Sequence, residues 1–218
     1  EIKNDGSTIS NIRDVIQNKN IPVSTFDDIP NKAIIPAFSN AAFIILDWDY
    51  FNNSIELSGG ERVSMPAELI ESKERELIEF LKGLLKDIFV PVFIFSAINS
   101  DSIISKLRDN GLWSDYKPNR IFIKQKIEVS SEAELFGAIE EWLKVMPSVY
   151  VLKEWENTIS ETKNRMFLEM YNYSPNWVKI IWDMLKADSI DYHLAFGEFV
   201  TRNLVNRIGE YLYDETLL

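Results

Sequence analysis

The chain has 218 residues, 46% hydrophobic and 26% charged, which is enough to bury a sizeable core in one large domain or two small ones. It contains no cysteine and a single histidine, His193, so a disulfide framework, a thiolate metal site and a histidine-rich metal cage are excluded. The net charge of −11 disfavours a nucleic-acid partner, because binding to phosphates draws on clustered Lys and Arg. No apolar run is long enough to span a bilayer and no leader-like segment is seen, so we expect a soluble cytoplasmic protein without a membrane partner.

The first third of the chain predicts a helix followed by strands. Apolar spacing predicts a helix over 8–18, and the β-prone stretch 21–26 predicts a short strand. Residues 41–48, AAFIILDW, form a continuous apolar run that ends in acids, which is typical of a strand buried on both faces. A long polar stretch containing Gly59 and Gly60 then leads to an amphipathic helix at about 69–88.

The middle third continues the alternation of strands and helices. It predicts a second buried strand at 90–97, a helix at 100–111, a third strand at 119–129 and a helix at 131–146. Alternating strands and helices build a parallel sheet through right-handed crossovers. We therefore predict an α/β domain over 1–146 with a doubly wound parallel sheet of the receiver or flavodoxin type.

After Pro147 the pattern changes to helices alone. The predicted helices span about 149–172, 175–187 and 191–213, with Ser174 and Pro175 as the cap and first turn of the second. Residues 147–218 are therefore predicted to be an all-helical C-terminal extension. Its amphipathic helices need a surface to bury their apolar faces, either the first domain or a second copy of the chain.

Polar side chains close all three predicted strands. Asp47 and Asp49 follow the first strand, Ser96 ends the second, and Lys124 lies in the third. The carboxyl ends of parallel strands share one edge of a sheet, where ligands bind. Carboxylates suit Mg²⁺, a hydroxyl suits a phosphoryl oxygen, and an ammonium pairs with negative charge. Lys126 is the rival to Lys124, and Lys124 is preferred because it directly follows the apolar IFI run.

The motifs that carry these residues resemble bacterial response-regulator receiver domains. ILDWDYF resembles the third receiver strand, PVFIFSA the fourth and RIFIK the fifth. The resemblance implies that Asp47 accepts a phosphoryl group, that Asp49 lends its backbone carbonyl to Mg²⁺, that Ser96 follows the phosphoryl group and that Lys124 neutralises it. It implies a phosphoprotein of two-component signalling rather than an enzyme.

FIILDWD, VPVFIFSA, IFIKQK and PSVYVLKEWE together are similar to the divergent "response receiver domain" family of bacterial proteins. Members of that family occur beside ATPases of the histidine-kinase type and in defence-associated loci. The resemblance thus implies a protein partner such as a histidine-kinase-type ATPase.

The sequence departs from the receiver pattern at its beginning. Receivers keep an acidic pair after their first strand, and no such strand precedes the helix at residue 8, where Asp5 is the nearest acid. The chain does not begin with Met, so we expect either that earlier residues belong to the natural protein or that the metal site is degenerate. In the second case the domain is a pseudo-receiver, a protein-interaction module without chemistry.

An enzyme is the alternative. Asp47 and Asp49, then Ser96, then Lys124 also resemble the first three motifs of haloacid-dehalogenase-type phosphatases, which depend on Mg²⁺. On that reading Asp47 is the nucleophile and Asp49 the general acid and base. Such phosphatases carry another acidic pair after a strand beyond the lysine, whereas residues 130–218 read as helices. This difference favours the receiver.

Overall fold

The computed structural model describes residues 8–48, 55–56, 62–63, 66–117, 119–188 and 191–208. The chain divides into two compact units, Glu1–Met146 and Pro147–Leu218. None of the helices in the described ranges is long and apolar enough to cross a membrane.

The first unit contains all the strands that the described residues form. They are β1 (Ile44–Asp47), β2 (Ile55–Glu56), β3 (Arg62–Val63), β4 (Val92–Ser96) and β5 (Ile121–Gln125). Three of them form a parallel sheet in the order β1-β4-β5, while β2 and β3 pair with each other in antiparallel fashion. The predicted α/β class is therefore confirmed, with a parallel sheet of three strands at its centre.

The described residues also form seven α-helices. They are α1 (Thr8–Asn18), α2 (Ala67–Asp87), α3 (Ser100–Asp109), α4 (Glu132–Val145), α5 (Pro147–Tyr173), α6 (Trp177–Ala187) and α7 (Tyr192–Val205). The described chain also has two 3-10 helices, at Lys32–Asn40 and Lys126–Val129. Capping explains several boundaries: the Ser131 side chain accepts from the Glu134 N–H at the start of α4, and Gly111, with φ of +72°, follows the end of α3.

Alternate residues of β4 point to two different apolar layers. Val92 and Ile94 belong to a core formed with α2 and α3, to which Leu81 and Ile103 contribute fully buried side chains. On the other face, the Phe93 ring makes edge-to-face contacts with two aromatic rings, Phe122 of β5 and Trp142 of α4. Helices thus cover both faces of the sheet, which explains why the strand is a continuous apolar run.

Four predictions about elements are wrong, one of them the strand predicted over 119–129, which is β5 and ends at Gln125. Residues 21–26 form no strand: they have an irregular backbone and pair with none of the strands in the described part of the chain. Helix α6 begins at Trp177 with Asn176 as its N-cap, two residues later than predicted, while the Ser174 hydroxyl accepts from the Asn176 N–H in the turn before it. Helix α7 ends at Val205 rather than at 213, and residues 209–213 lie outside the described part of the chain.

The first 3-10 helix packs against α2 through a close contact at a glycine. Ile35 is buried, and its Cδ1 lies 3.0 Å from the position that a Cβ on Gly83 would take. A side chain at residue 83 would push Ile35 away, so the glycine permits this approach. Ahead of the 3-10 helix, the Lys73 ammonium of α2 donates to both carboxylate oxygens of Asp28, at 3.0 and 3.1 Å.

We predict a measurable pH dependence for the Asp28–Lys73 pair. The hydrogen bond from Lys73 lowers the pKa of Asp28 and raises the pKa of Lys73. The stabilisation is therefore present above the unfolded pKa of Asp28, about 3.9, and lost as pH falls through the lower folded value. On the alkaline side it is present below about 10.4 and lost as pH rises through the raised folded pKa of Lys73.

Urea unfolding of the wild type and Asp28→Asn at several pH values checks this. Because the pair is solvent-exposed, the variant should lose less than about 1 kcal/mol of unfolding free energy at neutral pH. The difference should shrink as pH falls through the lowered folded pKa of Asp28, because both proteins then carry a neutral side chain at residue 28. A difference that persists undiminished in acid would show that the ion pair is not its cause.

Arg120, which directly precedes β5, binds the C-terminal end of α2. Its guanidinium donates at 2.7 Å to the Ile88 carbonyl and also to the Leu85 carbonyl, and it lies 5.6 Å from the centre of the Phe89 ring. Burial lowers the pKa of Arg120. These carbonyls belong to the last turn of α2 and its cap, where acceptors have no partner within the helix.

We predict that Arg120→Met lowers the unfolding free energy by about 2 kcal/mol, since hydrogen bonds from a charged donor to half-buried carbonyls are lost. Arg75→Met is the matched control, because Arg75 is an exposed arginine of α2, the helix whose last carbonyls Arg120 binds. It should change stability by no more than about 0.5 kcal/mol. Equal losses in the two variants, measured by urea unfolding, would contradict the capping role.

Candidate functional site

The three residues predicted to form the site lie at the ends of three adjacent parallel strands. Asp47 is the last residue of β1, Ser96 the last of β4, and Lys124 the next to last of β5. Because the strands are parallel and neighbours in the sheet, these positions share its carboxyl edge. The strand register places them there, since Asp47 is aligned with Phe95, and Phe95 with Lys124.

The cation on Asp47 is Lys126. Its ammonium nitrogen lies 2.8 Å from one carboxylate oxygen of Asp47 and 2.9 Å from the other. The side chains of Asp47 and Lys126 are 25% and 20% exposed. An ion pair that is three-quarters shielded is screened less by water and salt than one on the open surface. The structure therefore holds an acidic and a basic group together at the edge of the sheet.

Lys124 lies in the same row of the sheet as Asp47 but pairs elsewhere. Its ammonium is 3.8 Å from a carboxylate oxygen of Glu128, four residues further on. The preference for Lys124 rests on its place directly after the apolar IFI run, within a strand predicted to span 119–129. The strand ends at Gln125, and the 3-10 helix that starts at Lys126 no longer follows the two-residue alternation of a strand.

A local signal for this turn exists in the sequence. Glu128 accepts a hydrogen bond from the Gln125 N–H at 2.9 Å, and together the two residues form a capping box. A polar residue followed three positions later by Glu is the pattern of a helix start. Reading QKIE as such a start would have ended the strand before Lys126 and reopened the choice between the two lysines.

Ser96 is fully buried, and its hydroxyl has a role in the turn. Its Oγ accepts from the Ile98 N–H at 2.9 Å, which shapes the loop between β4 and α3. In the register Ser96 is opposite Gln125, one position beyond the row of Asp47 and Lys124. Alternation therefore directs the Ser96 side chain to the face of the sheet opposite to theirs.

The predicted metal ligands are described only in part. Asp47 belongs to the described residues, whereas Asp49 and the more remote Asp5 lie outside them. Within the described ranges no group of three or more His, Asp or Glu side chains is placed to hold a metal ion. His193 packs edge-on against the Trp182 ring, with 4.9 Å between ring centres, and beside Tyr192 at 4.6 Å.

The fold and the site define an α/β protein with a carboxylate–lysine pair at the carboxyl edge of a parallel sheet. No protein-family model, curated protein or solved structure matches the chain. The assignment to receiver domains, and to the response receiver domain family in particular, therefore stays a prediction from the sequence motifs.

A double-mutant cycle should detect the pairing of Asp47 with Lys126. We expect a coupling energy of about 1 kcal/mol between Asp47→Asn and Lys126→Met, because each substitution removes the partner of a partly shielded charge. The matched cycle uses Asp47→Asn and Lys124→Met, which should be additive within about 0.5 kcal/mol. Urea unfolding of the single and double variants measures both, and a larger coupling to Lys124 would reverse the assignment.

Proposed function

We propose that this chain is a receiver-type signalling domain in which the Asp47 carboxylate accepts a phosphoryl group. One observation carries the proposal: the Asp47 carboxylate ends a half-buried parallel strand and is held by the Lys126 ammonium at the carboxyl edge of the sheet. A phosphoryl group on Asp47 adds negative charge at that edge, and a fixed ammonium stabilises the charge that develops during transfer.

The proposed step is an in-line transfer to one oxygen of Asp47. That oxygen bonds to phosphorus as the bond between phosphorus and the donor's leaving group breaks, and the leaving group keeps the electron pair. The product is a mixed anhydride of carboxylate and phosphate. Lys126, which contacts both carboxylate oxygens beforehand, then pairs with the phosphoryl oxygens.

The proposal includes a Mg²⁺ requirement, which the receiver resemblance implies. Oxygen donors are the ligands that Mg²⁺ prefers, and the Asp47 carboxylate is of that kind. Asp47 and Asp49 are the proposed ligands. When bound, the metal would neutralise charge on the transferred group.

The doubly wound receiver fold is also part of the proposal. A parallel sheet with β1, β4 and β5 side by side in chain order supports it, and so do helices on both faces.

The phosphodonor we propose is a cytoplasmic protein of the histidine-kinase-type ATPase class, and this part of the proposal rests on the resemblance alone. A pseudo-receiver that binds the same partner without accepting phosphate is the form the protein takes if Asp47 proves inert.

The test is incubation of the chain with Mg²⁺ and acetyl phosphate, followed by intact-mass spectrometry. We expect one phosphoryl group per chain, labile to hydroxylamine as an acyl phosphate is, and none in Asp47→Asn. Omitting Mg²⁺ should abolish the modification. In Lys126→Met we expect the rate to fall on the order of 10²-fold, as removal of one fixed donor from a developing anion does. Lys124→Met is the matched lysine control, and its phosphorylation rate should fall by less than about tenfold.

The remaining outcomes separate the competing functions. Continuous release of phosphate from a phosphate ester, abolished in Asp47→Asn, would identify a phosphatase and overturn the receiver assignment. If Asp47 is not phosphorylated, no phosphate ester is hydrolysed and no beryllofluoride binds, the protein is a pseudo-receiver. If the phosphorylation rate falls more in Lys124→Met than in Lys126→Met, Lys124 is the residue that neutralises the charge.

A further inference from the structure

Glu128 makes two contacts at the edge of the sheet, one with each of its carboxylate oxygens. One oxygen accepts a hydrogen bond from the Gln125 N–H at 2.9 Å, and the other lies 3.8 Å from the Lys124 ammonium. Both partners belong to the end of β5, whereas Glu128 belongs to the 3-10 helix that follows it. The side chain therefore ties the helix to the strand exactly where Lys126 lies between them.

The first contact closes the start of this short helix. With four residues the helix has few hydrogen bonds of its own, and 3-10 geometry makes them weak, so its shape depends on what holds its two ends. Val129 holds the far end, since it is 1% exposed. The hydrogen bond from the Gln125 N–H to Glu128 holds the near end, where the helix begins at Lys126. Because the Lys126 ammonium contacts Asp47, this hydrogen bond helps to set where that ammonium lies.

The second contact involves Lys124, the other lysine near Asp47. The two residues lie in one row of the sheet with Phe95 between them, so their side chains leave the same face. Two strand spacings, about 10 Å, separate their Cα atoms, and the flexible four-carbon stem of a lysine can cover most of that gap. The Lys124 ammonium pairs with Glu128 instead. Glu128 therefore competes with Asp47 for this ammonium.

We propose that Glu128 is a positioning residue that determines which lysine contacts Asp47. Its hydrogen bond with the Gln125 N–H sets the turn that brings Lys126 to the carboxylate, and its charge holds Lys124 aside. Removal of Glu128 then exchanges the lysines, because the position of Lys126 is loosened while Lys124 is released. The effect on phosphoryl transfer rests on the proposed function, whereas the exchange of lysines does not.

Two substitutions separate the hydrogen bond of Glu128 from its charge. Glu128→Gln keeps a side-chain oxygen that can accept from the Gln125 N–H, since Gln as well as Glu serves at this position of a capping box. It loses the charge that attracts Lys124, and Glu128→Ala loses both contacts. Glu134→Ala is the matched control, because Glu134 accepts from the Ser131 N–H at 2.9 Å in the same motif at the start of α4.

Double-mutant cycles of urea unfolding show which lysine interacts with Asp47, without any phosphorylation. In the Glu128→Ala background, Asp47→Asn and Lys126→Met should become additive. Coupling of Asp47→Asn to Lys124→Met should appear in its place. In Glu128→Gln the coupling to Lys126 should persist, because the turn is still closed, and coupling to Lys124 should appear beside it. Glu134→Ala should keep the wild-type pattern, in which Lys126 alone is coupled.

The rate of phosphorylation by acetyl phosphate is the second readout. In the Glu128→Ala background, Lys124→Met should slow the reaction at least about tenfold and Lys126→Met by less than about tenfold. This order is the reverse of the order expected in the wild type. In Glu128→Gln, Lys126→Met should remain the more damaging substitution, because the turn that places Lys126 is intact.

The cycles alone can overturn the proposal. Unchanged coupling of Asp47 to Lys126 in Glu128→Ala contradicts it, and so does an equal loss of that coupling in Glu134→Ala, which would be a general effect of a lost cap. If Glu128→Ala does not fold, Glu128→Gln decides: coupling to Lys124 supports the proposal, and its absence overturns it.

The two readouts separate this proposal from the proposed function. If the lysines exchange in the cycles but Asp47 accepts no phosphoryl group, the proposed function fails and the positioning role of Glu128 stands. If Asp47 is phosphorylated but Lys126 keeps its larger effect on the rate in Glu128→Ala, the positioning role fails and the proposed function stands.

Discussion

The burial of the central strand, β4, on both faces fixes the strand register of the sheet in the first unit. All five of its residues are buried, and it pairs with β1 on one side and β5 on the other. A strand with neighbours on both sides and apolar layers on both faces cannot shift by one residue, because that would exchange the layers. The register of Asp47 and Lys124 against Phe95 therefore follows from the core rather than from any interaction between the two polar residues.

The same constraint explains why the polar groups gather at one edge. The strands stay apolar as long as they lie between the two layers, so charged residues can appear only where each strand leaves the core. In a parallel sheet those exits are adjacent. Asp47 is partly shielded, and a lone carboxylate in that position would carry an unfavourable desolvation free energy; the Lys126 ammonium offsets it. The ion pair thus serves stability as well as any chemistry.

Sequence patterns were sufficient for the strands of the sheet and for most helix boundaries, because strong apolar periodicity and capping residues are local signals. They failed at residues 21–26, where β-branched residues favoured a strand but no strand among the described residues lies beside them to pair with. They also could not place Lys126 at Asp47. The contact joins residues 79 positions apart and depends on where β5 gives way to a 3-10 turn. Element type is local, whereas side-chain contact depends on the tertiary fold.

The two units bury their apolar side chains in different ways. The first unit encloses its sheet between helices, and side chains such as Leu81 and Ile94 are fully buried. The second unit has no sheet in its described residues, and three helices alone must shield one another. Stacked rings between α6 and α7, Trp177 on Phe196 with 5.9 Å between centres, hold these two helices together. Ile180 and Met184 of α6 are nevertheless 49% and 59% exposed, so three helices without a sheet leave part of the apolar surface of α6 in water.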